Sequence, residues 1–168
     1  GKKVIVLLNI GGVIETASWK HIPDGILLVW QPGQEGGNSV SDILVGKVSP
    51  SGKLTMTFPN GLMDHASSAN FPKEGTMISF AKDNQEGGKP LHQRKDIDWA
   101  DYAEDIYVGY RYFDTFGKDV SYPFGFGLSY TTFTYDNASV EKKNGKLTVS
   151  VDVSNVGKTA GKEVVQFY

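Results

Sequence analysis

Apolar positions along this chain fall into distinct regimes, and each predicts different elements. From Val4 to Ile10 they are nearly continuous, interrupted only by Asn9. Such a run, rich in β-branched residues, predicts a strand covered on both faces, as in a parallel sheet. Gly11 and Gly12 break it, Val13 to Trp19 predicts a short helix, and Pro23-Asp24-Gly25 predicts a turn. Ile26 to Trp30 is a second buried strand, stopped by Pro32-Gly33. Over Glu35 to Val45 the spacing becomes helical: Val40, Ile43 and Leu44 share a face, and Gly46 supplies the stop. Lys53 to Phe58 is a third strand, closed by Pro59. This alternation of strand and helix predicts layered α/β structure.

Residues 60–100 lose periodicity. Gly, Pro, Asn, Lys and Asp dominate, which predicts a long surface excursion. From Tyr102 the character changes again, because 12 of the 20 aromatic residues lie between Tyr102 and Tyr135. Ile106 to Phe113 alternates like a strand, with Ile106, Val108, Tyr110 and Tyr112 on one face. After Tyr130 the pattern is all-β. Thr132 to Tyr135, Leu147 to Val153 and Glu163 to Tyr168 are short strands, and Asn144-Gly145 and Asn155-Val156-Gly157 are turns. Strands of this spacing suit an immunoglobulin-like or fibronectin III-like β-sandwich, which needs about seven of them. The expected fold is α/β. Residues 1–130 form a partial α/β sandwich layer with mostly parallel strands and a linker, and residues 131–168 begin a truncated fibronectin III-like sandwich.

Composition narrows the function without naming one. The 168 residues carry a net charge of −2, so there is no basic field to attract nucleic acid. Cysteine is absent, which removes disulfides, thiol nucleophiles and thiolate metal sites. No apolar run reaches the roughly 18 residues of a membrane helix, so no membrane partner is expected. The chain opens Gly1-Lys2-Lys3 and enters an apolar strand at once; it closes on the strand-like Glu163 to Tyr168. Both ends therefore read as cuts, and an interrupted sandwich should expose an edge for self-association.

Three ordered stretches point further: Trp30-Gln31-Pro32-Gly33-Gln34-Glu35-Gly36-Gly37, Ser49-Pro50-Ser51-Gly52-Lys53-Leu54, and Phe124-Gly125-Phe126-Gly127-Leu128-Ser129-Tyr130-Thr131. Between and around them stand Asp42-Ile43-Leu44-Val45-Gly46, Thr57-Phe58-Pro59, Asp105 to Asp114, and Ala160-Gly161-Lys162-Glu163-Val164-Val165-Gln166. This ordered set resembles the C-terminal half of glycoside hydrolase family 3, the β-glucosidase family. Thr55 departs from it, since family members commonly carry proline there. The resemblance implies a parent built of a barrel, an α/β sandwich and a fibronectin-like domain. It implies a retaining, exo-acting β-glycosidase whose substrate is an oligosaccharide or β-glucoside, with no cofactor. It also implies a nucleophilic aspartate and an acid/base glutamate that both precede the stretch matched here, so no catalytic residue is carried onto this chain. Retaining hydrolysis needs two carboxyl groups about 5–5.5 Å apart. A chain lacking both is expected to have no turnover.

Individual residues have two readings each. Glu35 could face a sugar, or could simply sit at a helix start favoured by the macrodipole. Asp96, Asp98, Asp101, Glu104 and Asp105 could hold a cation, but they lack the spacing and glycine of a calcium loop. His21, His65 and His92 are far apart, so no metal site is expected. Gly11-Gly12 lacks the rest of a dinucleotide fingerprint, and no serine stands in a nucleophile elbow. Asn137-Ala138-Ser139 fits a glycosylation sequon. Within the aromatic stretch most rings should pack between layers, while Trp99 and Tyr102 are the candidates for stacking on sugar rings. They also keep open a different class of function: a non-catalytic carbohydrate-binding or adhesion module.

Overall fold

Backbone hydrogen bonds at the start of the chain join its first two strands, β1 (Ile5–Leu8) and β2 (Gly25–Leu28). The flanking bonds Asp24 N–H to Val4 O (2.8 Å) and Val29 N–H to Leu8 O (3.0 Å) advance together along both segments, as in a parallel pair. The computed structural model describes residues 1–69 and 102–167. Contacts divide the chain into two units that alternate along the sequence. One comprises Gly1–Val6, Gly12–Leu27 and Thr55–Phe124; the other comprises Leu7–Gly11, Leu28–Leu54 and Gly125–Tyr168.

The mixed α/β character expected from the pattern is present, in small two-stranded sheets. Helix α1 spans Gly36–Leu44, within the range its apolar spacing predicted, with Glu35 and Val45 as its caps. Gly46 follows at φ +75°, the left-handed conformation that ends helices cheaply on glycine. A Pro-Gly corner before α1 and a glycine after it leave little freedom in where this helix begins and stops.

Several expectations fail. Val13 to Trp19 forms no helix; the chain has no regular structure there before it turns through Ala17–His21. Its polar groups are spent locally: Glu15 accepts from the Ser18 N–H and hydroxyl, and the Trp19 indole donates to Glu15 O. That competition with the helical ladder is the usual effect of short polar side chains. The run from Lys53 to Phe58 is not one strand. Only Phe58–Pro59 (β3) is paired, with Val120–Tyr122 (β4), and Pro59 lies inside the pair rather than closing it. Ile106 to Phe113 is not a strand either. Gly109 at φ +57° redirects the chain into α2, Tyr110–Thr115. There Tyr112 meets Phe116 (5.3 Å between ring centres) at a helical four-residue spacing, and Phe113 is buried.

Residues 163–167 are not in a strand, contrary to the pattern. The strands before them are longer than predicted: β5 (Phe133–Lys143) and β6 (Lys146–Asn155) form an antiparallel hairpin. Asn144 (φ 51°) and Gly145 (φ 76°) make its turn, the backbone that Asn-Gly favours between twisted strands. Finally, β1 is not covered on both faces, since Ile5 and Leu7 are 53% and 45% exposed. Ile5 and Leu7 share one face of β1, and it is that face which lacks a cover.

In the first unit the core gathers around Phe58 and Phe113, each only 2% exposed. Phe58 meets Tyr122 edge-on at 6.3 Å, and His65 meets Phe113 at 5.9 Å. Beside them the buried Thr16 and Ser121 hydroxyls share a 2.7 Å hydrogen bond, and Lys20 donates to Ser121 O while lying over the Tyr122 ring. Burial of those polar groups is tolerated because each has a partner. Two short 3₁₀ turns, Leu62–Asp64 and Ala66–Ala69, follow β3; most of the stretch 60–100 expected to form a surface excursion lies outside the described residues. No described helix is long and apolar enough to cross a membrane.

Candidate functional site

The stretch Trp30 to Gly37 links the end of β2 to the start of α1, and a crevice of about 720 Å³ opens there. Leu7, Val29, Val40 and Leu44 give it apolar walls; Asn9 and Gln31 give it amide groups. Its position follows a general rule of parallel α/β layers, in which the ends of strands and the start of the next helix leave a hollow. No side chain caps the first turn of α1. Gly36 and Gly37, the first residues of α1, line the crevice, so the partly positive end of the helix borders it. The backbone is unusual at the same point: Trp30 has φ +51°, a conformation bulky residues rarely hold. Sequence reasoning missed that feature, and the only signal for it was the Trp-Gln-Pro-Gly corner itself.

Glu35 belongs to the helix start. Its carboxylate accepts from Asn38 Nδ2 at 2.7 Å and lies exposed. None of the crevice-lining residues carries a carboxylate. This hollow can therefore hold a ligand by shape, amide groups and the helix end, and it contains no proton donor of the acidic class.

The other two stretches come together in the second unit. Leu54 N–H donates to Phe126 O and Gly125 N–H to Leu54 O, both at 2.8 Å. The Ser49 and Ser129 hydroxyls meet at 2.8 Å, and Ser49 Oγ also accepts the Tyr130 N–H. The Tyr130 hydroxyl reaches Ile43 O in α1 at 2.9 Å, tying this junction to the helix behind the crevice. Gly127 is required by close approach: a Cβ there would lie 2.5 Å from Gly52 O.

A buried ionic cluster sits at that junction. Lys53 Nζ donates to Gly127 O at 2.8 Å and lies 3.0 Å from Glu163 Oε1, with side chains only 15% and 8% exposed. Burial pushes the Glu163 carboxyl up, but hydrogen bonds from Lys53, Tyr135 and the Val164 N–H outweigh it and hold the group below the usual carboxylate range. Burial, then the bond to Glu163, push the Tyr135 phenol up in turn. These directions describe a fully ionised acid at neutral pH, held by its partners. It is a structural pair: burial and the hydrogen bonds that oppose it account for the shift, and no poised catalytic acid is needed.

Of the sugar-stacking candidates, Tyr102 is 85% exposed, with its carbonyl accepting from the Asp105 N–H. Trp99 lies outside the described residues, as do Asp96, Asp98, Asp101 and His92. Glu104 and Asp105 are the described members of the acidic group, and no set of three metal-ligating residues gathers among the described residues.

Comparison with known proteins gives this geometry a context. Residues 1–130 match the Glycosyl hydrolase family 3 C-terminal domain. Beta-glucosidase A of Butyrivibrio fibrisolvens is 41% identical over 98% of the chain, and Beta-glucosidase of Ruminococcus albus is 42% identical over 99%. The structure of beta-glucosidase 3B from Thermotoga neapolitana in complex with glucose superposes on 95% of the chain with a TM-score of 0.76 and 45% identity. The chain spans only 20%, 15% and 20% of the lengths of these three proteins.

Proposed function

We propose a function from one premise: this chain belongs to glycoside hydrolase family 3. It is part of a retaining, exo-acting β-glycosidase that removes terminal β-linked glucosyl residues. The observation that carries this reading is the similarity, along nearly the whole chain, to proteins named beta-glucosidase at 41% and 42% identity. In this reading the nucleophilic aspartate and the acid/base glutamate stand outside this chain. The Trp30 to Gly37 crevice serves as one wall of the substrate cleft, where an apolar hollow with two amides suits a sugar ring and its hydroxyls. The chain then divides near residue 130, and the β5–β6 hairpin is the opening of a fibronectin III-like sandwich that braces the α/β part. Trp99 and Tyr102 are the proposed stacking rings.

The division of labour has a physical basis. Cleavage with retention requires a nucleophile and a proton donor across the anomeric carbon, about 5–5.5 Å apart. The crevice offers no carboxylate lining and hence no such pair. The test is a chromogenic β-glucoside assay on the purified chain, alone and joined to the upstream portion of a family member. The expected result is no turnover above blank alone and turnover in the joined protein. Hydrolysis by the chain alone would overturn the assignment of both catalytic groups to residues outside it.

A further inference from the structure

A second cavity lies within the first unit, and Tyr112, from the Asp105 to Asp114 stretch, is part of its lining. Its volume is about 330 Å³, at the small end of ligand pockets. Asn60, Met63, Asp64, Tyr112, Lys118 and Asp119 line it. We propose that this cleft is a carbohydrate subsite that takes a single pyranose unit. The proposal rests on the reading of the parent protein as a glycosidase, which makes sugars the ligands at hand.

The lining selects the ligand class. Two carboxylates face one ammonium, so the cleft is formally anionic and disfavours phosphates and acids. Two carboxylates without a third acidic or histidine ligand make no cation cage, and none is found among the described residues. What remains is a neutral ligand with many hydroxyls and an apolar flank. A pyranose has both: a rim of hydroxyls that donate and accept, and a face of C–H groups that rests on a flat ring. Asp64 and Asp119 accept, Lys118 donates, and the Asn60 carboxamide does both. Tyr112 and Met63 supply the apolar contact.

The cleft is also built in advance of binding. The Tyr112 ring is held between Phe113 and Phe116, both at 5.3 Å. Asp64 Oδ2 accepts the Gly61 N–H at 2.7 Å, which uses one of its roughly four acceptor sites and fixes the carboxylate plane. The Asn60 side chain donates Nδ2–H to Asp119 O at 3.2 Å, joining the two sides of the cleft, and the Lys118 N–H donates to Phe113 O at 2.8 Å. Groups already ordered lose little freedom when a ligand arrives.

The test is a titration of the full chain with methyl β-glucoside, with amide and side-chain NMR shifts as the readout and inositol and inorganic phosphate as controls. Saturable shifts at Asn60, Asp64, Tyr112 and Asp119 with the glucoside, and none with phosphate, are expected. Lys118→Ala and Asp119→Ala, both at exposed positions, should each weaken binding about tenfold while leaving the melting temperature within error. Tyr112→Ala should abolish binding, and Tyr112→Phe should retain it. No saturable shift in the cleft up to about 100 mM sugar would overturn the proposal. So would shifts confined to Asn9 and Gln31: those would leave the glycosidase reading standing and remove only this subsite. Equal response to phosphate would overturn the assignment of a neutral ligand.

Discussion

Glu163 shows how a single side chain can carry more structure than its neighbours in sequence suggest. It stands in a segment with no regular secondary structure, yet its carboxylate is nearly buried against Lys53 and bonded by Tyr135. Glu163→Gln would leave the Lys53 ammonium buried without its counter-charge, and should cost about 3 kcal/mol in urea unfolding, the low end for breaking a buried pair. The same contact sets an acid limit. The folded carboxyl titrates below its unfolded value of 4.5, so its contribution is complete above that pH and is lost as pH falls through the lower, folded value. Glu163→Gln should flatten that limb of the stability curve. His65 acts in the same direction, nearer neutrality. Burial beside Phe113 depresses its pKa below 6.5, with Asp64 opposing only in part. The folded state therefore prefers neutral imidazole; stability is present above 6.5 and declines as pH falls through the depressed value. Replacing His65 with Leu should remove that slope between pH 7 and 5 (about the range over which histidine titrates), measured by thermal melts at each pH.

Elements differed in how plainly their sequence declared them. α1 was readable because its apolar spacing, its Pro-Gly entry and its Gly46 exit all agree, and local agreement of that kind leaves one structure. The β5–β6 turn was readable for a similar reason: Asn-Gly suits few backbones other than this one. α2 was hidden. Ile106, Val108, Tyr110 and Tyr112 alternate, but Tyr112 and Phe116 also recur at helical spacing, and alternation within a short run cannot separate the two. The arbiter is Gly109, whose φ of +57° and ψ of −136° break the run into two pieces. Gly109→Ala should cost about 1–3 kcal/mol, because an L side chain strains that backbone. The loss should appear as faster amide exchange in Tyr110–Thr115, and an unchanged exchange pattern would argue against this role.

The assembled chain leaves apolar surface that its own described residues do not cover. On the hairpin, Tyr135 pairs with Val153 and Val140 with Val149, and these four are 50%, 39%, 65% and 38% exposed. A two-stranded hairpin with an uncovered apolar face is marginal in water and invites a partner. Sedimentation of the purified chain should therefore show concentration-dependent self-association that Val140→Lys reduces; a monomer at all concentrations would refute this. The sequence alone established family membership, the α/β beginning and the β ending, since ordered motifs and periodicity are properties of the chain read in one dimension. It could not say that Ser49–Leu54 and Phe124–Thr131 meet, nor that Lys53 would find Glu163, nor that Tyr112 and Asn60 share a cleft. Those contacts join residues distant along the chain, and which distant groups become neighbours is chosen by burial and close packing, not by local spacing.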